Sequence, residues 1–271
     1  MMRAFCHVGA VAVAAMALGI TAEGQSSDPC TLGVRPSIGF GMNSYRTGGS
    51  VAPFSGIVKS TFEQKLADGN SIHGVMRTRQ ARDSTGKTRT EFAQGCERGE
   101  DGQPQEMLNV SVFDPILKTT MNWQVNQFAM PKVVRIVHQN EVPVKQPSPE
   151  ELAERQKIAQ VRQPSKEEFR TENLGTKSFH GVTAQGSRKV RTIPAGEEGN
   201  DLPLEVVEEY WVSKQLGLAV MIVRDDPRQG RTTAEFEELN VGEPDPALFA
   251  VPAGYKVEDV HPNVVAAIGP Q

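Results

Sequence analysis

The segment most suggestive of chemistry is Arg82-Asp83-Ser84-Thr85-Gly86-Lys87-Thr88, which ends like a phosphate-binding loop. Such a loop wraps phosphate oxygens in backbone amides only when a glycine leads it and a helix follows. Here Ala81 holds the leading position and both flanks read as strand, so the segment predicts a hairpin turn. The histidines beyond the leader are His73, His138, His180 and His261, with none of the short spacings that prearrange metal ligands. The carboxylate clusters at Glu97 to Asp101, Glu197-Glu198 and Asp225-Asp226 lie beside glycine or proline and read as solvated turns. No Gly-x-Ser-x-Gly elbow is present, and the acceptor sequon Asn109-Val110-Ser111 falls in a predicted strand. No catalytic residue, metal site or cofactor is expected, and the chain reads as non-enzymatic.

Of the three cysteines, Cys6 lies within an apolar leader, which leaves Cys30 and Cys96 as a candidate disulfide. Two unpaired thiols, one on a mobile arm and one in a loop, are the alternative reading. The leader itself has the form of a secretory signal peptide, with Arg3, then an apolar run from Val8 to Ile20 that is short for a membrane span. Small residues place cleavage after Ala22 or Gly24. The expectation is an exported protein, periplasmic or extracellular, with no stable membrane span after cleavage. With 38% hydrophobic and 23% charged residues the chain can bury a core. A net charge of −4 with interleaved signs offers no basic stripe, so nucleic acid is not an expected partner.

The most informative constellation is apolar. Phe54, Phe62, Met76, Phe92, Met107, Phe113, Met121, Trp123, Phe128 and Met130 crowd the first half of the chain. Strands curving around such side chains either fill their concave face or leave a groove, and methionine adapts to varied apolar ligands. Phe62, Met76, Phe92, Met121, Trp123 and Trp211 are the candidate ligand lining. An ordinary packed core is the competing reading of the same residues.

The elements that must position them follow a strand-and-turn grammar. Residues 25–53 read as a flexible arm, and a single domain is expected over 54–258 with a tail at 259–271. Val58, Ser60, Phe62, Gln64 and Leu66 alternate, and Asp68-Gly69 turns the chain into Ile72, Gly74 and Met76, a hairpin. Strands are expected at Lys87 to Phe92, Leu108 to Phe113, Thr119 to Val125 and Val133 to Val137, with a turn at Asp114-Pro115. A polar insertion at 139–170 contains one helix, with Ser148 as N-cap, Pro149 at the first position and Glu151 completing a capping box. Its apolar stripe is narrow. Strands resume at Asn173 to Phe179, Val182 to Ile193, from Glu205, at Leu218 to Val223 and at Thr232 to Leu239, and Asp245 caps a helical turn at Pro246 to Phe249. The fold class is α+β, mostly β: a single curved antiparallel sheet with a short helical insertion, each half of the chain supplying one side.

Asn173-Leu174-Gly175-Thr176-Lys177, Glu209-Tyr210-Trp211-Val212-Ser213, Asp226-Pro227-Arg228-Gln229-Gly230 and the run from Gly242 to Tyr255, together with Asp68-Gly69, Arg82-Asp83-Ser84, Arg89-Thr90-Glu91 and Phe113-Asp114-Pro115, resemble an uncharacterised family of exported bacterial proteins. More distantly, the ending Asp245-Pro246 through Phe249, Pro252 and Gly254-Tyr255 is similar to the periplasmic lipoprotein-carrier (LolA-like) and RseB-like group. That resemblance implies a half-barrel sheet closed by helices, holding acyl chains or sensing envelope proteins. The functional expectation is an exported binding module for an apolar small molecule or a lipidated envelope partner. The rival is a structural or protein-interaction module with a filled core and no ligand.

Overall fold

The computed structural model describes residues 51–99, 101–127, 130–138, 147–161 and 167–260. The leader, Cys30 and His261 lie outside them. The described residues form twelve strands, most of them joined by short turns: β1 (Phe54–Lys65), β2 (Ser71–Arg82), β3 (Thr88–Arg98), β4 (Pro104–Asp114), β5 (Thr119–Val125), β6 (Val133–His138), β7 (Glu168–Phe179), β8 (Val182–Ile193), β9 (Leu204–Ser213), β10 (Leu218–Asp226), β11 (Gly230–Val241) and β12 (Lys256–Val260). Among the described residues one α-helix, α1 (Pro149–Val161), lies between β6 and β7.

All twelve strands form one open sheet in the order β12-β6-β5-β4-β3-β2-β1-β11-β10-β9-β8-β7. The first half of the chain builds one side and β7 to β11 the other, joined where β1 pairs with β11, while β12 crosses back to the outer edge of the first side. The expected single curved sheet with a helical insertion is therefore found. One pairing departs from the antiparallel expectation: β12 runs parallel to β6, because the chain returns across the sheet before pairing.

Turn chemistry sets these connections. Asp83 Oδ1 accepts from the amides of Thr85 (3.0 Å) and Lys87 (2.8 Å), so the Gly-Lys-Thr segment closes the β2–β3 hairpin. Ser148 caps α1 as expected: its Oγ accepts from Glu151 N at 3.1 Å while Glu151 Oε2 accepts from Ser148 N at 2.8 Å. Residues 150–157 of the helix are exposed, in keeping with its narrow apolar stripe. Asp245 Oδ1 accepts from Ala247 N at 2.9 Å and starts the 3-10 turn Pro246–Phe249.

The curl of the sheet has a visible cause. A bulge between Ile57 and Val58 interrupts the β1–β11 register, and a second between Ala219 and Met221 interrupts β9–β10; bulges bend the sheet and increase its twist. The β7–β8 turn thereby reaches β11, from which β9 and β10 separate it, and His180 Nε2 lies 2.7 Å from Phe236 O. Inside the curl lies an apolar cluster of Phe54, Val58, Val182, Ala184, Leu216, Leu218, Val220, Ala234, Phe236 and Leu239. A second cluster joins Ala81, Val110, Val112, Trp123 and Val134 beneath Phe249, with Leu248, Val251 and Tyr255 packed against it.

Candidate functional site

Strand side chains alternate between faces, and directly paired residues share one. Met76 pairs with Ser60, Phe62 with Gly74, and Phe92 with Thr78. Along β1, Phe62 has the parity of Phe54 and Val58, so Phe62, Met76 and Phe92 lie on the face that carries the inner cluster. All three are half-buried. Two residues not expected in the lining join them: Met107 pairs with Gly95 and Phe113 with Thr88, which extends the same face across β4. A Cβ on Gly95 would sit 3.4 Å from Met107 Cε, so the glycine leaves the methionine its room. The signal was present in β4, where Met107, Asn109, Ser111 and Phe113 alternate with Leu108, Val110 and Val112.

Of the other three candidates, two lie on the opposite face. Trp123 pairs with Val110 and Met121 with Val112, and these belong to the opposite face, whose apolar cluster the 246–255 segment covers. Trp123 is 4% exposed, with the Arg89 guanidinium 5.3 Å above its ring. Trp211 pairs with Gly186 in the second half of the sheet and packs, with Phe179, against the inner cluster. A Cβ at Gly186 would fall 2.8 Å from that indole, so only glycine admits it there. Trp211 Nε1 donates to Glu209 Oε1 at 2.7 Å, and its ring lies 5.6 Å from Phe179. Register thus places Phe62, Met76, Phe92 and Trp211 with the inner cluster, Trp211 on the far side of the curl, and sends Met121 and Trp123 to the opposite face.

The inner face is not purely apolar. Thr78, Gln80 and Arg82 are buried along β2. Arg82 stacks 5.1 Å from the centre of the Phe54 ring and donates through Nη2 to Ala52 O (2.8 Å) and Leu216 O (2.5 Å). Burial lowers its pKa from the ordinary guanidinium value. The carbonyls it holds sit where β1 begins and where the β9–β10 turn closes, so this cation ties the two halves together. Phe62 also borders a shallow depression of about 230 Å³ with His73, Gly74 and Arg231. That volume is below the roughly 300 Å³ at which pockets enclose small ligands.

The opposite face of β1, β2, β3 and β11 is charged. Arg77 donates to both oxygens of Glu237 (2.7 and 3.0 Å), and Arg79 and Arg89 both reach Glu91. Glu237 is the extra residue of the β11 bulge, so the bulge that bends the sheet also aims this carboxylate at Arg77. Its carboxyl is held below the usual range, chiefly by the Arg77 hydrogen bonds. Among the described residues no group of three or more His, Cys, Asp or Glu side chains could hold a metal ion. Of the histidines there, His138 lies 2.8 Å from Asp259, His180 bonds the Phe236 carbonyl, and His73 is exposed. Cys96 is disulfide-bonded.

No family model matches the chain, and no curated protein matches it in sequence. Several solved structures resemble it distantly. The MucA/MucB complex of Pseudomonas aeruginosa matches at 15% identity over 78% of this chain and 59% of that one, with a TM-score of 0.34. An uncharacterized conserved protein from Thermus thermophilus matches at 12% over 78% and 91%, TM-score 0.35. A LolA superfamily protein from Nitrosomonas europaea matches at 9% over 76% and 92%, TM-score 0.24. The chain spans 59% of the matched chain in the MucA/MucB structure.

Proposed function

We propose that this chain is an exported, non-enzymatic binding module that takes an apolar ligand, or the lipid of a lipidated partner, on the inner face of its sheet. The observation that carries the reading is the band of half-buried Phe62, Met76, Phe92, Met107 and Phe113 on one face, in register and continuous from β1 to β4. Methionine and phenylalanine spaced along one pleated face give adaptable apolar contact, while the half-buried Ser111 beside them offers a polar anchor point. Export is supported by the leader pattern and by the disulfide at Cys96, a bond typical of oxidising compartments.

Native mass spectrometry of protein purified without detergent, with solvent extraction of the same sample, tests this. Bound acyl species that disappear in a Met76→Asp, Phe92→Asp variant support a carrier. A second reading, an interaction module without a ligand, is favoured by the packing of the inner cluster, where Phe54, Val58, Leu216, Val220 and Ala234 are all 0% exposed. An empty protein that also fails to take up an acyl fluorophore, yet retains a stable envelope partner in pull-down, decides for that second reading.

A further inference from the structure

The β4–β5 turn, Asp114-Pro115-Ile116-Leu117-Lys118, breaks the usual chemistry of turns, where polar residues and glycine dominate. Ile116 is 73% exposed and Leu117 67%, two adjacent large apolar side chains at the tip of a hairpin. They are held outward by an ordered base. Asp114 Oδ1 accepts from the amides of Ile116 (2.9 Å) and Leu117 (3.0 Å), and Lys87 Nζ lies 3.0 Å from Asp114 Oδ2. Val260 adds to this corner: it pairs with Val137, next to His138, which pairs with Thr119 at the foot of the turn. Val260 is 38% exposed.

We infer that this hairpin tip is a membrane-surface anchor, with Ile116 and Leu117 entering the boundary between lipid headgroups and acyl chains. A protein groove would accept two apolar side chains equally well, but the backbone argues for lipid. Amides that enter an apolar phase need partners inside the protein, and the Asp114 carboxylate already supplies them for both tip residues. The charge on that carboxylate is itself matched by Lys87. Lys118 follows directly, exposed and with a positive φ of 55°, placed to extend its ammonium back to the headgroup layer. The tip borders Phe113 at the end of the inner band but presents Ile116 and Leu117 to solvent, so the two readings are tested by different residues.

The test is flotation of the purified protein with vesicles of phosphatidylcholine alone and of phosphatidylcholine with phosphatidylglycerol. The wild type floats, and Ile116→Ser with Leu117→Ser lowers its partition coefficient at least ten-fold on both. Leu202→Ser, which alters a residue 74% exposed in the β8–β9 turn, leaves it unchanged. Because both changes are on the surface and keep Asp114, circular dichroism of the double variant matches the wild type. In a Leu117→Trp variant, brominated acyl chains quench fluorescence beyond that of the parent. A wild type that stays with the soluble fraction, a double variant that floats as well as the wild type, or a Leu202→Ser variant that loses as much, overturns the inference. Vesicle binding that fails leaves the ligand reading standing, since that reading is measured by extracted acyl species and not by flotation.

Discussion

Asp226 shows at the scale of one residue how this sheet manages buried charge. It is 1% exposed, and Arg228 meets it with Nε to Oδ1 at 2.9 Å, Nη2 to Oδ2 at 2.7 Å and its own amide to Oδ1 at 3.0 Å. Arg228 also reaches Glu198, extending the pair into a chain of charges at this end of the sheet. The Arg228 hydrogen bonds hold the Asp226 carboxyl below its ordinary value, more than burial raises it. A carboxyl with a depressed folded-state pKa stabilises the fold at pH values above its unfolded pKa of about 3.9, and this stabilisation is lost as pH falls through the lower folded value. Asp226→Asn should therefore lower stability by about 1–3 kcal/mol at pH 7 and flatten the loss below about pH 4, read from urea midpoints across that range. Cys96 makes a second prediction. We propose Cys30 as its partner, and non-reducing peptide mapping should recover the two joined; in the chain-entropy model, a loop of that length contributes about 4 kcal/mol, so Cys30→Ser lowers the melting temperature. A map that shows Cys96 alkylated without reduction contradicts the pairing.

Among the elements, hairpins were the most legible from sequence because each is specified locally. Asp68-Gly69, Asp83 with Gly86, and His180-Gly181 gave their turns, and the Ser148 capping box gave α1, since the deciding atoms lie within four residues of one another. Strand ends were less legible: β3 and β4 run on through Gly95 and Met107 into what reads as a glycine-rich loop, because their pairing across the 99–103 turn overrides local propensity. The lining was legible only in part for a related reason. Phe62, Met76 and Phe92 share a face with one another, yet Met121 and Trp123 fall on the other through a register that no single strand encodes. Bulges compound this, because each shifts the register by one. Gly56 marks such a place: a Cβ there would lie 2.5 Å from Glu238 O and 2.9 Å from the Phe236 ring. Gly56→Val should destabilise by roughly 2 kcal/mol or more through overpacking, whereas His180→Ala, which removes the bond to Phe236 O, should cost about 1 kcal/mol; equilibrium denaturation ranks the two, and an equal or reversed ranking contradicts the bulge packing.

For the whole molecule, the central fact is that the two halves of the chain meet at a long seam, β1 against β11, within an unbroken sheet, and again where the 246–255 segment and β12 return onto the first half. The link between halves in sequence is the 139–170 insertion, whose helix is exposed through residue 157. We propose a single domain, and limited proteolysis in the insertion should then yield a nicked protein whose halves elute together and separate only in denaturant. Halves that part in native buffer contradict it. Arg82, which bonds Leu216 O and Ala52 O, adds to that seam, so Arg82→Ala should lower the denaturant concentration at which the nicked halves separate.

The same seam dictates an order of events in time. The hairpins on either side need only neighbouring chain to close, whereas β1 and β11 must find each other across most of the polypeptide, and such loop closure is entropically slow. Each half can therefore assemble its ladder early, but with an unpaired edge at β1 or β11 until the other arrives. During that interval both edges are open to strands of other molecules. Refolding should thus lose yield steeply with protein concentration, while the assembled sheet, with that pair of edges closed, does not.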